Sequence, residues 1–251
     1  MEERTFSISD VASQAWKTLR SNMWLLASLW LTLLGVIIAG SIITKWLDPI
    51  FFHPLGNLIV SGIGNIQVRI VLLSLINTFI FQIPFHVIQS GIGLGIAKVT
   101  LDAYDAKNGN YWDLFSQFGI VHRSLGLYVL TMAFTFGIIL VPLAAISFLN
   151  PLLLKNFFVL TVLTLSIVTV LFYFAFRFSL CLFYLVDKRV GAIESLRKSF
   201  RITQGLVWKF FGLFIVITLV SITIIGIPLA YLMLLTAYRK LEQKDQHVPV
   251  Q

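Results

Sequence analysis

The sequence predicts an all-α fold: a polytopic transmembrane helix bundle of about six spans, with three interfacial amphipathic helices. Three observations predict it. Of 251 residues, 58% are hydrophobic and 12% are charged, whereas about a quarter of a soluble domain is charged. The apolar residues fall into five long runs, and roughly 20 such residues cross about 30 Å of hydrocarbon. The net charge of +8 sits in short segments between those runs, where Lys and Arg orient membrane proteins. A nucleic-acid-binding protein concentrates such charge on a polar, soluble surface, so nucleic acid is not expected as a partner. No long polar stretch is present to build a separate soluble domain, and residues 1–251 read as one membrane domain.

Four runs meet the length of a span plainly. The first, 23–43, follows Lys17 and Arg20. It is too long for the apolar core of a signal peptide and reads as an uncleaved first span. The second covers 70–88 and continues as helix through Gly91, Gly93 and Gly95. The third is 125–148, and the fourth is 157–186, interrupted only by Arg177. The last run, between Lys209 and Arg239, would make a straight helix of roughly 43 Å, too long for one crossing. Gly226-Ile227-Pro228 near its middle is kink or turn punctuation, so the run is either one kinked helix or a short hairpin.

Loop charge favours the hairpin. With the N-terminus inside, the inside segments carry Arg4, Lys17, Arg20, Lys98, Lys107, Arg123, Lys188, Arg189, Arg197, Lys198, Arg201 and Lys209. The outside segments carry only Lys45, Arg69 and Lys155. Adding Arg239, Lys240 and Lys244 to the inside sharpens the asymmetry, which requires an even number of crossings.

The chain also reads as three units, 7–105, 106–186 and 187–241, followed by a polar tail, 242–251. Each unit is an amphipathic helix followed by a pair of membrane helices. In the first, Ile8, Val11 or Ala12, Ala15 and Leu19 form the apolar face, and Ser7 with Asp10 offers a capping-box-like start. In the second, Asn110 is a reasonable N-cap, and Trp112, Phe115 and Phe118 lie near one face. In the third, Ile193, Leu196 and Phe200 form the apolar face, opposite Glu194, Arg197, Lys198 and Arg201. Cations above and aromatics below suit a helix lying on an anionic leaflet.

A family resemblance rests on particular residues. Asp187, Gly191-Ala192, Glu194-Ser195-Leu196, Lys198-Ser199-Phe200 and Thr203 through Trp208 resemble YciC-like bacterial membrane proteins. So do Ile227-Pro228-Leu229, Leu232 and Ala237-Tyr238-Arg239-Lys240-Leu241, and, more loosely, Gly91 to Ala103 with Trp112-Asp113-Leu114-Phe115. The membrane domain attached to some glycerophosphodiester phosphodiesterases shares this pattern. The resemblance implies six helices in the bacterial inner membrane, with both ends in the cytoplasm. The chain departs from the pattern in its short last helix pair and in a middle unit without a basic run.

No enzyme or cofactor motif is present. His53, His86, His122 and His247 are scattered, and Gly91-Ile-Gly-Leu-Gly95 lacks the strand and lysine of a phosphate loop. Close helix packing explains those glycines. The lone Cys181 has no metal-ligand spacing around it. Two features carry candidate function. Ser74, Thr78, Gln82, His86 and Gln89 form a polar stripe on the second span, either hydrogen-bonding between helices or lining a path. Arg177, with Arg197, Lys198 and Arg201, is a candidate contact for lipid headgroups, Arg177 by snorkelling. An interhelical hydrogen bond or a substrate role are its alternatives. The expected function is a non-enzymatic inner-membrane protein of envelope organisation or membrane homeostasis. It would act through anionic lipid, a protein partner or a second copy of itself. The alternative is a small-solute or lipid transporter using the stripe.

Overall fold

The fold is seen in a computed structural model describing residues 6–47, 83–107, 109–149, 157–223 and 225–246. The described residues form helices and connecting turns, with no strand among them. In order, α1 is Ile8–Ser21, α2 Met23–Leu47, α3 Ile83–Tyr104, α4 Val121–Leu149, α5 Phe157–Phe178 and α6 Cys181–Asp187. Then come α7 Ala192–Ile202, α8 Val207–Val220 and α9 Gly226–Gln246. Two short 3₁₀ turns, Tyr111–Phe115 and Phe118–Ile120, precede α4.

Among the described residues, three stretches are long and apolar enough to cross a membrane: Met23–Ile43, Tyr111–Pro142 and Thr161–Asp187. A fourth exists if α7 and α8, bent by 103°, count as one broken span. Most of the expected second span lies outside the described residues, although α3 does run unbroken through Gly91, Gly93 and Gly95. The expected fourth span is divided at Ser179–Leu180 into α5 and α6. The last apolar run is broken too. Helices α8 and α9 pack on each other, and residues 221–223 turn the chain after α8. Gly226 begins α9, and its N–H donates to the Thr223 carbonyl at 2.9 Å. A Cβ there would collide with the Val220 carbonyl. The break therefore precedes Gly226-Ile227-Pro228, and Pro228 falls in the first helical turn, where no intrahelical N–H is required.

The amphipathic elements differ in kind. In α1, Val11, Ala15 and Leu19 recur every fourth residue and are buried. Asp10 in its first turn and Arg20 in its last oppose the helix dipole. The Ser7 hydroxyl makes no cap bond and lies 2.7 Å from Ser9 Oγ instead. The middle element is 3₁₀ rather than α-helical. Asn110 caps it, its side chain accepting from the Trp112 N–H at 3.2 Å, while Asp113 accepts from the Asn110 N–H at 3.3 Å. Gly95 of α3 seats this element, since a Cβ there would collide with the backbone of Leu114.

Packing is cyclic. The 3₁₀ element packs on α3, α7 packs on α6, and α1 closes the circuit by packing along α9. The helix ends they cover form the core. Leu94, Ile96 and Leu101 of α3, Phe183 and Leu185 of α6, and Leu232, Leu235 and Tyr238 of α9 are buried. Large apolar side chains elsewhere point outward, among them Leu31, Val141, Leu165 and Leu219. Acyl chains solvate such residues as well as a protein core would. Trp24, Trp112 and Trp208 are 83%, 70% and 83% exposed, as suits side chains with an apolar body and a polar N–H at a membrane interface.

Candidate functional site

The core segments end in a knot of charge. Arg239 of α9 donates through Nη2 to Asp105 Oδ2 at 2.6 Å and to Asp187 Oδ1 at 3.1 Å. Its Nη1 donates to Asp187 Oδ2 at 3.0 Å and to Glu242 Oε2 at 3.1 Å. Tyr238 donates its hydroxyl to Asp187 Oδ2 at 2.9 Å. Lys188 reaches Glu242 at 2.5 Å, and Lys107 reaches Asp105 at 3.6 Å. Three cations thus face three carboxylates, tying the end of α6 and the turn after α3 to α9. The hydrogen bond from Lys188 to Glu242 holds the lysine above its ordinary pKa, against partial desolvation. Two further contacts join the same end: Arg201 to Asp245 at 3.1 Å and Lys240 to Asp10 at 4.0 Å. The first and last helices therefore meet at one end of the bundle.

Arg177 is not placed to snorkel. It is 5% exposed, and its Nη1 donates to the Phe200 carbonyl at 3.0 Å. The guanidinium carbon stands 3.9 Å from the Phe200 ring centroid, a cation–π distance. The cause is the break after α5. A helix leaves its last carbonyls without intrahelical donors, and Ser199 Oγ donates to the carbonyl of Arg177 at 2.7 Å. Arg177 in turn satisfies a carbonyl in the last turn of α7, so the two helix ends cap each other.

This exchange sets the face that α7 turns to the protein. Ser195, Ser199 and Ile202 are buried, whereas Ile193 is 64% and Phe200 36% exposed. Ile193 and Phe200 of the expected apolar face therefore point away from the protein, as a helix lying on a leaflet requires, while Leu196 packs against the core. Small hydroxylated residues face the protein because they let backbones approach closely, and Ile193 and Phe200 turn outward.

Between α4 and α7 lies an open groove of about 990 Å³. Gly126, Val129 and Leu130 line it from α4, and Ile193, Arg197 and Arg201 are among its residues on α7. Three of the four basic residues expected to meet lipid, Arg197, Lys198 and Arg201, converge here; Arg177 does not. Lys198 pairs with Glu194 at 2.8 Å, and Arg201 pairs with Asp245. Arg197 has no ion pair or hydrogen bond among the described residues. Arg123, one turn before Gly126, donates to the Arg189 carbonyl and adds charge near the same end.

In the polar stripe, Ser74, Thr78 and Gln82 lie outside the described residues. The His86 ring lies 5.2 Å from the Tyr128 ring of α4, tilted by 35°, so it faces a neighbouring helix, and Gln89 is half-buried on α3. Asp105, Asp187 and Arg239 are the residues that sequence reasoning missed as a group. Asp187 and Arg239 carry a positional signal, each following an apolar stretch that closes a core segment, whereas Asp105 follows Lys98 and Asp102 and carries none. Comparison with known protein families, curated proteins and solved structures returned no match.

Proposed function

We propose that this is a non-enzymatic integral protein of the bacterial inner membrane that holds the basic, outward face of α7 against anionic phospholipid headgroups. Through that contact it contributes to envelope organisation or membrane homeostasis. One observation carries this reading. Arg197 stands exposed and uncommitted beside the outward Ile193 and Phe200, on a helix bent by 103° from the apolar α8. If α8 descends into hydrocarbon, such a bend lays α7 along the surface, with cations at headgroup depth and apolar side chains below. The Lys/Arg asymmetry supports a cytoplasmic N-terminus and C-terminus. The shared end of α1 and α9 agrees with both termini lying on one side, and the YciC-like residues point to the same compartment. The cytoplasmic leaflet is the anionic one, so the basic helix and its ligand meet there.

The test is lipid analysis of protein extracted with its surrounding bilayer. Wild-type protein should carry anionic phospholipid enriched over the bulk membrane. The combined change Arg197→Gln, Lys198→Gln and Arg201→Gln should remove that enrichment. Equal anionic fractions around both proteins would end this reading.

A further inference from the structure

The groove between α4 and α7 has two chemically different parts. Its wall on α4 is Gly126, Val129 and Leu130, with Ile193 facing from α7. Its other margin carries Arg197, Lys198 and Arg201 against a single acid, Glu194. Two of those cations already have carboxylate partners at 2.8 and 3.1 Å, which orders them. The third, Arg197, is left with an unused fork of donors, the geometry that takes a phosphate through two parallel hydrogen bonds. A soluble anion would use the cations and leave the apolar wall wet. A neutral lipid would use the wall and leave Arg197 unpaired. An anionic phospholipid uses both parts. The groove volume of about 990 Å³ stands near the top of the roughly 300–1,000 Å³ range of small-molecule sites, enough for a headgroup and the first part of an acyl chain.

We infer that this groove is a discrete site for one anionic phospholipid, its phosphate on Arg197 and an acyl chain along Val129, Leu130 and Ile193. The inference rests on the proposed interfacial role of α7 and goes beyond it, because a general attraction to an anionic surface needs no groove and has no stoichiometry. Gly126 makes the site open. A Cβ at this position would touch only Ala192, at an ordinary 3.6 Å, so a larger side chain would project beyond and fill the space. Val129 is 63% exposed and offers a second blocking position clear of the core.

Native mass spectrometry of the full-length protein in neutral detergent tests this, with phosphatidylglycerol, phosphatidylcholine and inorganic phosphate as probes. Phosphatidylglycerol should give one saturable adduct. Phosphatidylcholine should bind at least about tenfold more weakly, and equimolar inorganic phosphate should not displace the lipid. Arg197→Gln should weaken the adduct about tenfold, the loss of one charge-assisted contact, with partial recovery in Arg197→Lys. Gly126→Phe and Val129→Trp should each abolish the adduct while leaving the anionic enrichment of extracted bilayer intact. Val129→Trp keeps the test valid should Gly126→Phe fail to fold. A retained adduct in folded Val129→Trp, or displacement by phosphate, would overturn the groove site. Enrichment without any saturable adduct in the wild type would overturn it too, and leave the interfacial role standing. Absence of enrichment as well would refute both.

Discussion

Replacing Arg239 with Met removes the one side chain that bonds Asp105, Asp187 and Glu242 together. Met keeps the length and apolar stem, so the change acts through charge. The Arg239 side chain is 12% exposed, and those of Asp105, Asp187 and Glu242 are 23%, 17% and 8% exposed. Breaking a buried ion pair from one side costs about 3–5 kcal/mol, because a charge is left in poor solvent. Here Tyr238, Lys188 and Lys107 remain beside the carboxylates, which places the cost near the lower end, about 3 kcal/mol. For a chain of this size that corresponds to a fall in Tm of roughly 6–12 °C. Arg239→Lys should recover part of the loss, since a single ammonium reaches fewer of the four acceptor positions. The assay is thermal unfolding of the detergent-purified protein, with Lys45→Met as an exposed-charge control. An Arg239→Met variant melting within about 2 °C of wild type, less than about 1 kcal/mol, would refute the view that this knot holds the bundle together.

Other expectations follow from the same geometry. Gly95→Ala should lower Tm by several degrees, since its Cβ meets backbone rather than a movable side-chain tip and overpacking costs about 1–3 kcal/mol; an unchanged melting curve would contradict the seat for Leu114. The pKa of Lys188 is raised by Glu242, so its contribution is full below the unfolded lysine value of about 10.4 and is lost as pH rises through the higher folded value. Lys188→Gln should therefore flatten the loss of stability above about pH 10, and an alkaline profile parallel to wild type would contradict that. With Cys181→Ala as background, a cysteine introduced by Lys244→Cys should resist membrane-impermeant thiol reagents in intact cells; labelling would place the tail outside.

The apolar runs were legible because hydrocarbon thickness demands them: α2 and α4 lie within a few residues of where those runs predict helix, and α5 and α6 together cover the fourth run. The position of the last turn was less legible. Gly226-Ile227-Pro228 marks the break, but proline suits the beginning of a helix, so the turn falls just before it. The face that α7 turns to the protein was not legible. Apolar periodicity finds the core of a soluble helix, whereas beside lipid Ile193 and Phe200 turn out and Ser195 and Ser199 turn in. Arg177 suits snorkelling in the sequence because the partners of its alternative, an interhelical hydrogen bond, are the carbonyl and ring of Phe200, available only where α5 breaks and α7 crosses it. Asp105, Asp187 and Arg239 belong to distant parts of the chain, and nothing local to any of them announces the other two. The groove itself combines α4 and α7, so its cations were visible in the sequence and its wall was not.

How α7 meets the membrane is measured directly by site-directed spin labelling. In the Cys181→Ala background, nitroxides would be attached at Ile193→Cys and, separately, at Glu194→Cys, with the protein reconstituted in bilayers containing phosphatidylglycerol. Collisions with oxygen report the acyl region, and collisions with a water-soluble nickel chelate report the aqueous phase. The label at position 193 should be oxygen-accessible and shielded from nickel, while the label at position 194 should show the reverse. Equal nickel accessibility at both positions would place α7 in water, away from the leaflet, and contradict its interfacial role.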